Sequence, residues 1–392
     1  MRLLVLSFYY SPDLAAGSFR ATALVAALRE RAPLGTHIDV VTTSPNRYRT
    51  FARVAAETES SANLDIRRIG MPAHRSDMLG QARAFIHFAR AALRHVAQRD
   101  YDLVFATSSR LMTAALGALI ARRKRARLYL DVRDIFVDTI GDVLPRPLAW
   151  PLRQLLAPLE RWTMRRADRI NLVSRGFEEY FRERYPDRSF AWFTNGIDDE
   201  FLVPRPTEPV PSRERDARVT ILYAGNIGEG QALHKIVPGL AQALRGRADF
   251  VVIGDGGRRA ALELAIAGID NVALRAPVSR AQLVDAYRSA DVLFLHLGAL
   301  PAFEKVLPSK VFEYAALGKP VLAGVAGYAA RFIREEIANA AVFAPCAVPT
   351  AVAAFESLEL AERPREKFVA KYARASIAKE MADDILAVAR GA

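Results

Sequence analysis

The 392-residue chain has one cysteine, Cys346, which excludes a disulfide framework. Its neighbourhood, AVFAPCAVP, supplies neither a base nor a second thiol, so it reads as a packing residue in a protein suited to a reducing cytosol. Long apolar runs are missing too. The opening MRLLVLSFYYSPDL contains an apolar run of about six residues, too short for the core of a secretion signal, and no later stretch approaches the roughly 18 that a membrane-crossing helix needs. The expectation is a cytoplasmic protein that spans no membrane. Lysine is almost absent from the first half. Of the 31 Lys and Arg residues before position 191, thirty are arginine, against 19 acids, whereas the second half holds 24 of each sign. The whole net charge of +12 therefore lies in the first 190 residues. No nucleic-acid motif or interleaved stacking aromatics accompany that charge, which argues against nucleic acid. The clusters RRKRAR (Arg122 to Arg127) and RWTMRR (Arg161 to Arg166) suit phosphate, because planar guanidinium groups donate in pairs. Such a face is either simply solvated or a surface for anionic lipid.

What is present is alternation. With 51% hydrophobic residues, a chain of this length favours two cores over one. Short apolar runs (RLLVLSF, HIDVVTT, LDIRRIG, DLVFATS, RLYLDV, RINLVS) recur, most of them followed by a segment of helical period, the signature of a parallel sheet with helices on both faces. The pattern stops at Pro204 to Arg218, PRPTEPVPSRERDAR, whose prolines and charges fit neither a core helix nor a central strand. It restarts with VTILYAG, DFVVIGDG, NVALRA, DVLFLHLG and PVLAG, and the stretch from about Arg363 to Arg390 is helical by composition. The fold class is therefore α/β, with two doubly wound, Rossmann-like parallel-sheet domains: residues 1–203, a linker 204–218, and residues 219–374. Their carboxyl ends are expected to flank a cleft, the usual ligand site of open α/β sheets.

Several strand-to-helix turns suit an anion. Gly225, Asn226 and Gly228 in LYAGNIGEGQAL, and Gly256 in VVIGDGG, permit close backbone approach; no Walker lysine-hydroxyl pair follows, and the glycines are misplaced for a dinucleotide fingerprint. In the first half, Gly17 and Ser18 open a helix that carries Arg20. In LPSKVFEYAALGKPVLAG, Ser309 is placed to cap a short helix and Lys310 falls in its first turn, where a cation opposes the helix dipole and is better explained by an anion that it meets. Glu313 stands one turn on. It is either half of a solvated Lys–Glu pair or an acceptor for vicinal hydroxyls such as those of ribose. Asp131 and Asp134 in DVRDIFVD are candidates for holding an acceptor or serving as its base, with helix capping near Asp134 as the alternative. His37, His87 and His95 read as structural, and His296 as a possible sugar contact.

Taken in order, LYAGNIGEGQAL, VVIGDGGRRAALE, SADVLFLHL and LPSKVFEYAALGKPVLAG resemble the family 4 retaining glycosyltransferases of the GT-B fold. The nearest resemblance is to the bacterial surface-polysaccharide and O-antigen type that includes N-acetylfucosaminyltransferases. SFYYSPDLAAGSFRATAL, DVRDIFVDTIGDVL, ADRINLVSRGF and FTNGIDDEFL extend it over the first half. The resemblance implies a nucleotide sugar, UDP-linked by expectation, held by the second domain, an acceptor held by the first, and a last helix of about 375–392 returning to the first. It assigns Glu313 to the ribose hydroxyls, and Ser309, Lys310 and the Gly225 to Gly230 loop to the diphosphate. Gly256 and Val278 fall near base and sugar, and Gly17 and Ser18 near the phosphate. It also implies a polyprenyl-diphosphate-linked or other glycan acceptor and peripheral attachment to an anionic membrane.

The sequence departs from the family at Lys305, with Glu304 beside it, where many members carry a glutamate that touches the donor sugar; the usual Arg and Lys of the glycine loop are replaced near Asn226 and Gln231. Lys310, with Lys305, then has to neutralise more of the leaving diphosphate. Lysines and helix N-termini can do this without a metal, so no metal or other cofactor is expected. Two other readings share these features: a sugar-nucleotide epimerase on the same fold, and a non-catalytic membrane-surface partner.

Overall fold

The computed structural model describes residues 1–13, 15–45, 55–71, 78–108, 111–135, 137, 146–202 and 218–391. The chain forms two compact units, Met1–Asn195 with Arg374–Ala392, and Gly196–Ala373. In the first, an eight-stranded sheet has the order β3-β4-β2-β1-β5-β6-β7-β8. Its strands are β1 (Arg2–Leu6), β2 (His37–Thr43), β3 (Thr58–Ser61), β4 (Leu64–Ile69), β5 (Leu103–Ser108), β6 (Arg127–Val132), β7 (Arg169–Leu172) and β8 (Phe190–Ala191). The central β1 and β5 are buried on both faces, as their unbroken apolar runs require. Helices α1 (Ala16–Arg31), α2 (Met78–Val96), α3 (Leu111–Lys124), α4 (Arg146–Arg166) and α5 (Glu178–Arg184) supply the crossovers. Among the described residues the one departure from a parallel sheet is β3, which pairs antiparallel with β4. All four of its residues, TESS, are exposed, so it has no apolar period to announce it, and a polar edge discourages pairing with another chain.

The second unit has a parallel six-stranded sheet of order β11-β10-β9-β12-β13-β14. It comprises β9 (Val219–Asn226), β10 (Ala248–Asp255), β11 (Val272–Arg275), β12 (Val292–His296), β13 (Val321–Gly324) and β14 (Ala340–Phe343). Its helices are α6 (Leu233–Ala243), α7 (Arg259–Ala265), α8 (Arg280–Ser289), α9 (Lys310–Ala316), α10 (Gly327–Glu336), α11 (Val348–Ser357) and α12 (Glu366–Tyr372). Both sheets have the doubly wound architecture of the GT-B fold.

The C-terminal segment, read from sequence as one helical stretch, is two helices. α12 ends at Tyr372, Ala373 is extended at φ −58°, ψ 124°, and α13 (Arg374–Arg390) follows. The extended residue is used: Ile197 bridges Ala373, and its N–H donates to Tyr372 O at 2.8 Å. From there α13 enters the first unit, where Met381, Ala382, Ile385 and Leu386 share a core with Leu24, Val25 and Leu28 of α1. The chain changes unit at Asn195, ahead of the proline-rich stretch, because Phe201 stacks on Tyr287 at 5.9 Å and Asp198 pairs with Arg280. Residues 204–217 of the expected linker lie outside the described residues.

Candidate functional site

In the second unit β9 ends at Gly225 and Asn226, and Lys310 opens α9. The Lys310 ammonium fills the space that a Cβ on Gly225 would occupy, and Gly225 has a φ of +146°, so only glycine suits both demands. The same ammonium lies 5.9 Å from the centre of the Tyr223 ring, within cation–π range, and the Tyr223 hydroxyl donates to Asn226 O at 2.6 Å. A cation is thereby held against the backbone at the carboxyl end of a central strand. Ser309 does not act as the expected cap. Its own backbone is already helical, at φ −60° and ψ −28°, and its side chain makes no capping hydrogen bond. The backbone closes the turn instead, with Val311 N donating to Pro308 O and Phe312 N to Ser309 O.

Glu313, one turn on, is 9% exposed and has two protein donors, Arg280 Nη1 and the Tyr287 hydroxyl, one on each carboxylate oxygen, both at 3.3 Å. These bonds are long, and each oxygen keeps acceptor capacity for a ligand hydroxyl. Arg280 also donates to Asp198 at 2.6 Å and covers the Phe201 ring at 4.7 Å. Burial pulls its guanidinium down, but Glu313 and Asp198 outweigh this and raise it. Sequence reasoning passed over Arg280, although the signal applied to Lys310 was there: a cation in a helix's first turn, here within the Ser279–Gln282 capping box.

The glycine loop is held by its own side chains. Asn226 Nδ2 donates to Gln231 Oε1 at 2.8 Å, and Gly228 N donates to the same oxygen at 3.2 Å. Gly256, at φ +156°, serves a backbone contact, since a Cβ there would meet Ile227 O at 2.5 Å. Val278 is half-buried in the loop before α8, and Lys305 ends the 3-10 turn Pro301–Lys305, with Glu304 exposed beside it. His296 is fully buried and not placed to touch a sugar. Its Nδ1 meets Gln231 O at 2.7 Å while Nε2 accepts from Cys346 N at 2.9 Å, which requires the neutral tautomer protonated at Nδ1. Burial lowers the imidazole to about 4. Cys346 takes part in this anchor through its backbone, at φ +60°.

In the first unit Gly17 and Ser18 lie in the first turn of α1, which has no capping side chain at Ala15. A Cβ on Gly17 would collide with the Arg133 guanidinium, whose Nε is buried without a hydrogen-bond partner. Asp131 corrects the expectation of a base. It is fully buried, and Arg20 donates to it through Nε and Nη2, both at 2.9 Å; Thr107 Oγ1 donates at 3.0 Å and Asn171 Nδ2 at 2.7 Å. Burial pushes its carboxyl up, but the Arg20 charge more than offsets this and leaves it low. A saturated, ionised carboxylate tying α1 to β5, β6 and β7 has no face left for an acceptor. Asp134 differs. More than a third of its surface is open to solvent, while the protein packed around it pushes its carboxyl up to about 6 against the pull of Arg133. Asp138 lies outside the described residues.

Among the described residues one group, His37, Asp39 and Asp65, has ligand atoms close enough to share a metal ion. Asp39 also meets Arg99 at 3.1 Å and the Tyr101 hydroxyl at 2.7 Å. His37 and Asp65 stand near the starts of β2 and β4, the amino end of the sheet, away from Gly17 and Asp134.

Comparison with known proteins matches residues 17–190 to a glycosyl transferase 4-like domain and residues 204–375 to the glycosyl transferases group 1 family. A protein of Escherichia coli K12 named as a colanic acid biosynthesis glycosyl transferase, WcaI, is 25% identical over 239 residues, so that the match spans 57% of this chain and 58% of that relative. Among solved structures, sucrose-phosphate synthase from Thermosynechococcus elongatus has a TM-score of 0.73 at 14% identity, covering 100% of both chains. The apo lipopolysaccharide outer core galactosyltransferase WaaB has a TM-score of 0.63 at 12% identity, covering 99% of this chain and 100% of its own. At these identities the structural likeness carries the fold.

Proposed function

Because the chain belongs to the GT-B glycosyltransferases, its two halves matching the two glycosyltransferase domain families, we propose that it moves a sugar from a nucleoside diphosphate, UDP first, to a hydroxyl of a lipid-linked saccharide. The anomeric configuration is retained, and the product is a cell-surface polysaccharide, in keeping with the role named for the Escherichia coli relative. The observation that carries the reading is Lys310 held over Gly225, with Glu313 one turn further along α9.

In this reading Lys310 neutralises the leaving diphosphate as charge develops on it, with Lys305 and Ser309 adding donors and the Gly225 to Gly228 loop, whose Ile227 and Gly228 N–H groups are already bonded, giving close backbone approach. Glu313 accepts from the two ribose hydroxyls, while Gly256 and Val278 border base and sugar. Asn226 shapes the loop by holding Gln231. The first unit takes the acceptor, with Gly17, Ser18 and Arg133 toward phosphate and Asp134 toward the reacting hydroxyl. Asp131 positions this end of the unit through Arg20. No resident cofactor is invoked. The enzyme works at the inner face of the cytoplasmic membrane, held there by anionic lipid.

The test is a thermal-shift series with UDP, GDP, dTDP and ADP, followed by product analysis with the matching nucleotide sugars. One diphosphate should raise the melting temperature, and Lys310→Ala and Glu313→Ala should each cost activity at least about tenfold, the worth of a charge-assisted hydrogen bond. Wild-type rates in both variants would remove the site; a changed sugar still attached to its nucleotide would make the enzyme an epimerase.

A further inference from the structure

An aspartate inside a buried strand needs a reason, and β2 carries one: Asp39, 1% exposed, interrupts the run HIDVVTT. Ile38 and Val40 enter the core shared with α1, so His37 and Asp39 lie on the opposite face of the sheet. Asp65 of β4 stands abreast of Asp39 in the parallel register, and its neighbours Leu64 and Ile66 enter that same core. One face of the sheet therefore presents a histidine and two carboxylates from adjacent strands.

Partners are divided unequally over these atoms. Asp39 Oδ2 is crowded: the Tyr101 hydroxyl donates to it at 2.7 Å, Arg99 Nη1 lies at 3.1 Å and Arg2 Nε at 3.6 Å. Among the described residues Asp39 Oδ1 has no hydrogen-bond partner, and it is closed to water. It faces His37 Nε2 at 3.3 Å, but that nitrogen carries at most one proton and lies closer to Asp65 Oδ2, at 3.0 Å. Charging the imidazole changes nothing here, because its second proton sits on Nδ1. A buried carboxylate oxygen without a donor is costly, and a metal cation would satisfy all three atoms at once.

The geometry suits one. A tetrahedral ion with bonds of about 2.0–2.2 Å sets its ligands about 3.3–3.6 Å apart, close to the 3.3 and 3.0 Å found around His37 Nε2. With one atom taken from each residue, all three lie within 4.8 Å of one another. Both carboxylates are steadied from behind, as metal sites require, by Tyr101 and Arg99 on Asp39 and by the Ser60 hydroxyl on Asp65. His95 of α2 in turn meets Arg99 Nη1 at 3.0 Å. His37 and Asp65 are partly exposed, which leaves a way in from solvent and room for a water ligand. Arg2 and Arg99 repel a cation, but both are partly exposed and so screened, and they engage the Asp39 oxygen that the ion does not use.

We propose that His37 Nε2, Asp39 Oδ1 and Asp65 Oδ2 bind one divalent transition-metal ion, zinc first, with water in its fourth position. Mixed imidazole and carboxylate donors favour such an ion over magnesium or calcium. The ion clasps β2 to β4, the strand on which the edge strand β3 depends for its pairing. It stands at the amino end of the sheet and takes no part in sugar transfer.

The experiment strips the intact chain with a chelator and titrates it with zinc chloride against a chromophoric zinc indicator, then repeats the titration with cobalt chloride. Wild type should take up one equivalent of zinc, and its melting temperature should rise by at least about 2 °C. Cobalt should give the visible absorption of a four-coordinate ion without a thiolate charge-transfer band, which sets the site apart from Cys346. Magnesium in about hundredfold excess should leave the zinc in place. His37→Gln and Asp65→Asn, both at partly exposed positions, should each weaken zinc binding at least about tenfold and abolish the melting shift, with the diphosphate-induced shift unchanged. No zinc uptake, displacement by magnesium, a thiolate band, or binding that survives both substitutions overturns the proposal. Because zinc binding and the diphosphate shift are read separately, failure here leaves the transferase reading untouched.

Discussion

The Lys310 ammonium stands where a side chain on residue 225 would have to go, so one glycine and one lysine on separate elements define a single charged spot. Gly225→Ala must strain a backbone at φ +146° and displace the ammonium. We expect a loss of about 1–3 kcal/mol in urea unfolding from the strain, together with at least a tenfold rise in donor KM. A variant with wild-type KM would disconnect the two residues.

Arg280 joins Glu313 to Asp198 and Glu200 with only 15% of its side chain exposed. Arg280→Met strands buried acids, which costs about 3 kcal/mol where one partner of a buried pair is removed. The expected kinetic signature is a raised donor KM with kcat changed far less, because the arginine holds Glu313, which in the proposed reading accepts from ribose away from the reacting atoms. A fall in kcat alone would reverse that assignment.

His296 gives stability a pH dependence of definite sign. Its pKa is depressed to about 4 from 6.5, so the unfolded chain binds the proton first as pH falls. The stability that it supports is fully present above 6.5 and is lost between 6.5 and about 4. The full loss is about 3 kcal/mol. Urea midpoints measured at neutral and mildly acid pH should diverge more for the wild type than for His296→Gln; equal slopes would show that the histidine contributes nothing to the acid sensitivity.

Asp134, with its carboxyl near 6, is protonated over much of the mildly acid range. If it accepts the acceptor's proton, kcat/KM falls with unit slope below about pH 6. Asp134→Asn should remove that limb and cost about a hundredfold or more at neutral pH. An unchanged profile in the variant would leave the proton to the departing phosphate.

Much of the fold was legible because the strands are buried on both faces, and runs such as LLVL in β1 and LVFATS in β5 cannot be mistaken for exposed chain. β3 was not, since four exposed polar residues carry no period. Neither was the break at Ala373, where helical composition runs on but a bridge to Ile197 outbids the helix bond. In the site, Lys310 and Gly225 stood out because each violates a local preference that a neighbour explains. Asp131 misled because its strand-end position is shared by ligand-binding and structural acids, and only the convergence of Arg20, Thr107 and Asn171 from three other elements distinguishes them. Pairings between residues over a hundred positions apart, like Arg20 with Asp131, leave no mark on either segment.

The first unit is assembled from both ends of the chain, with α13 supplying Met381, Ile385 and Leu386 to its core and Asp384 to the Tyr129 hydroxyl at 2.7 Å. During synthesis residues 1–195 therefore cannot close their core until residues 374–390 have followed, and the second unit, continuous in sequence, can complete itself earlier. A chain cut short before Arg374 would spare the second unit and leave the first one open, so the integrity of residues 1–195 depends on a helix that follows the whole second unit in sequence.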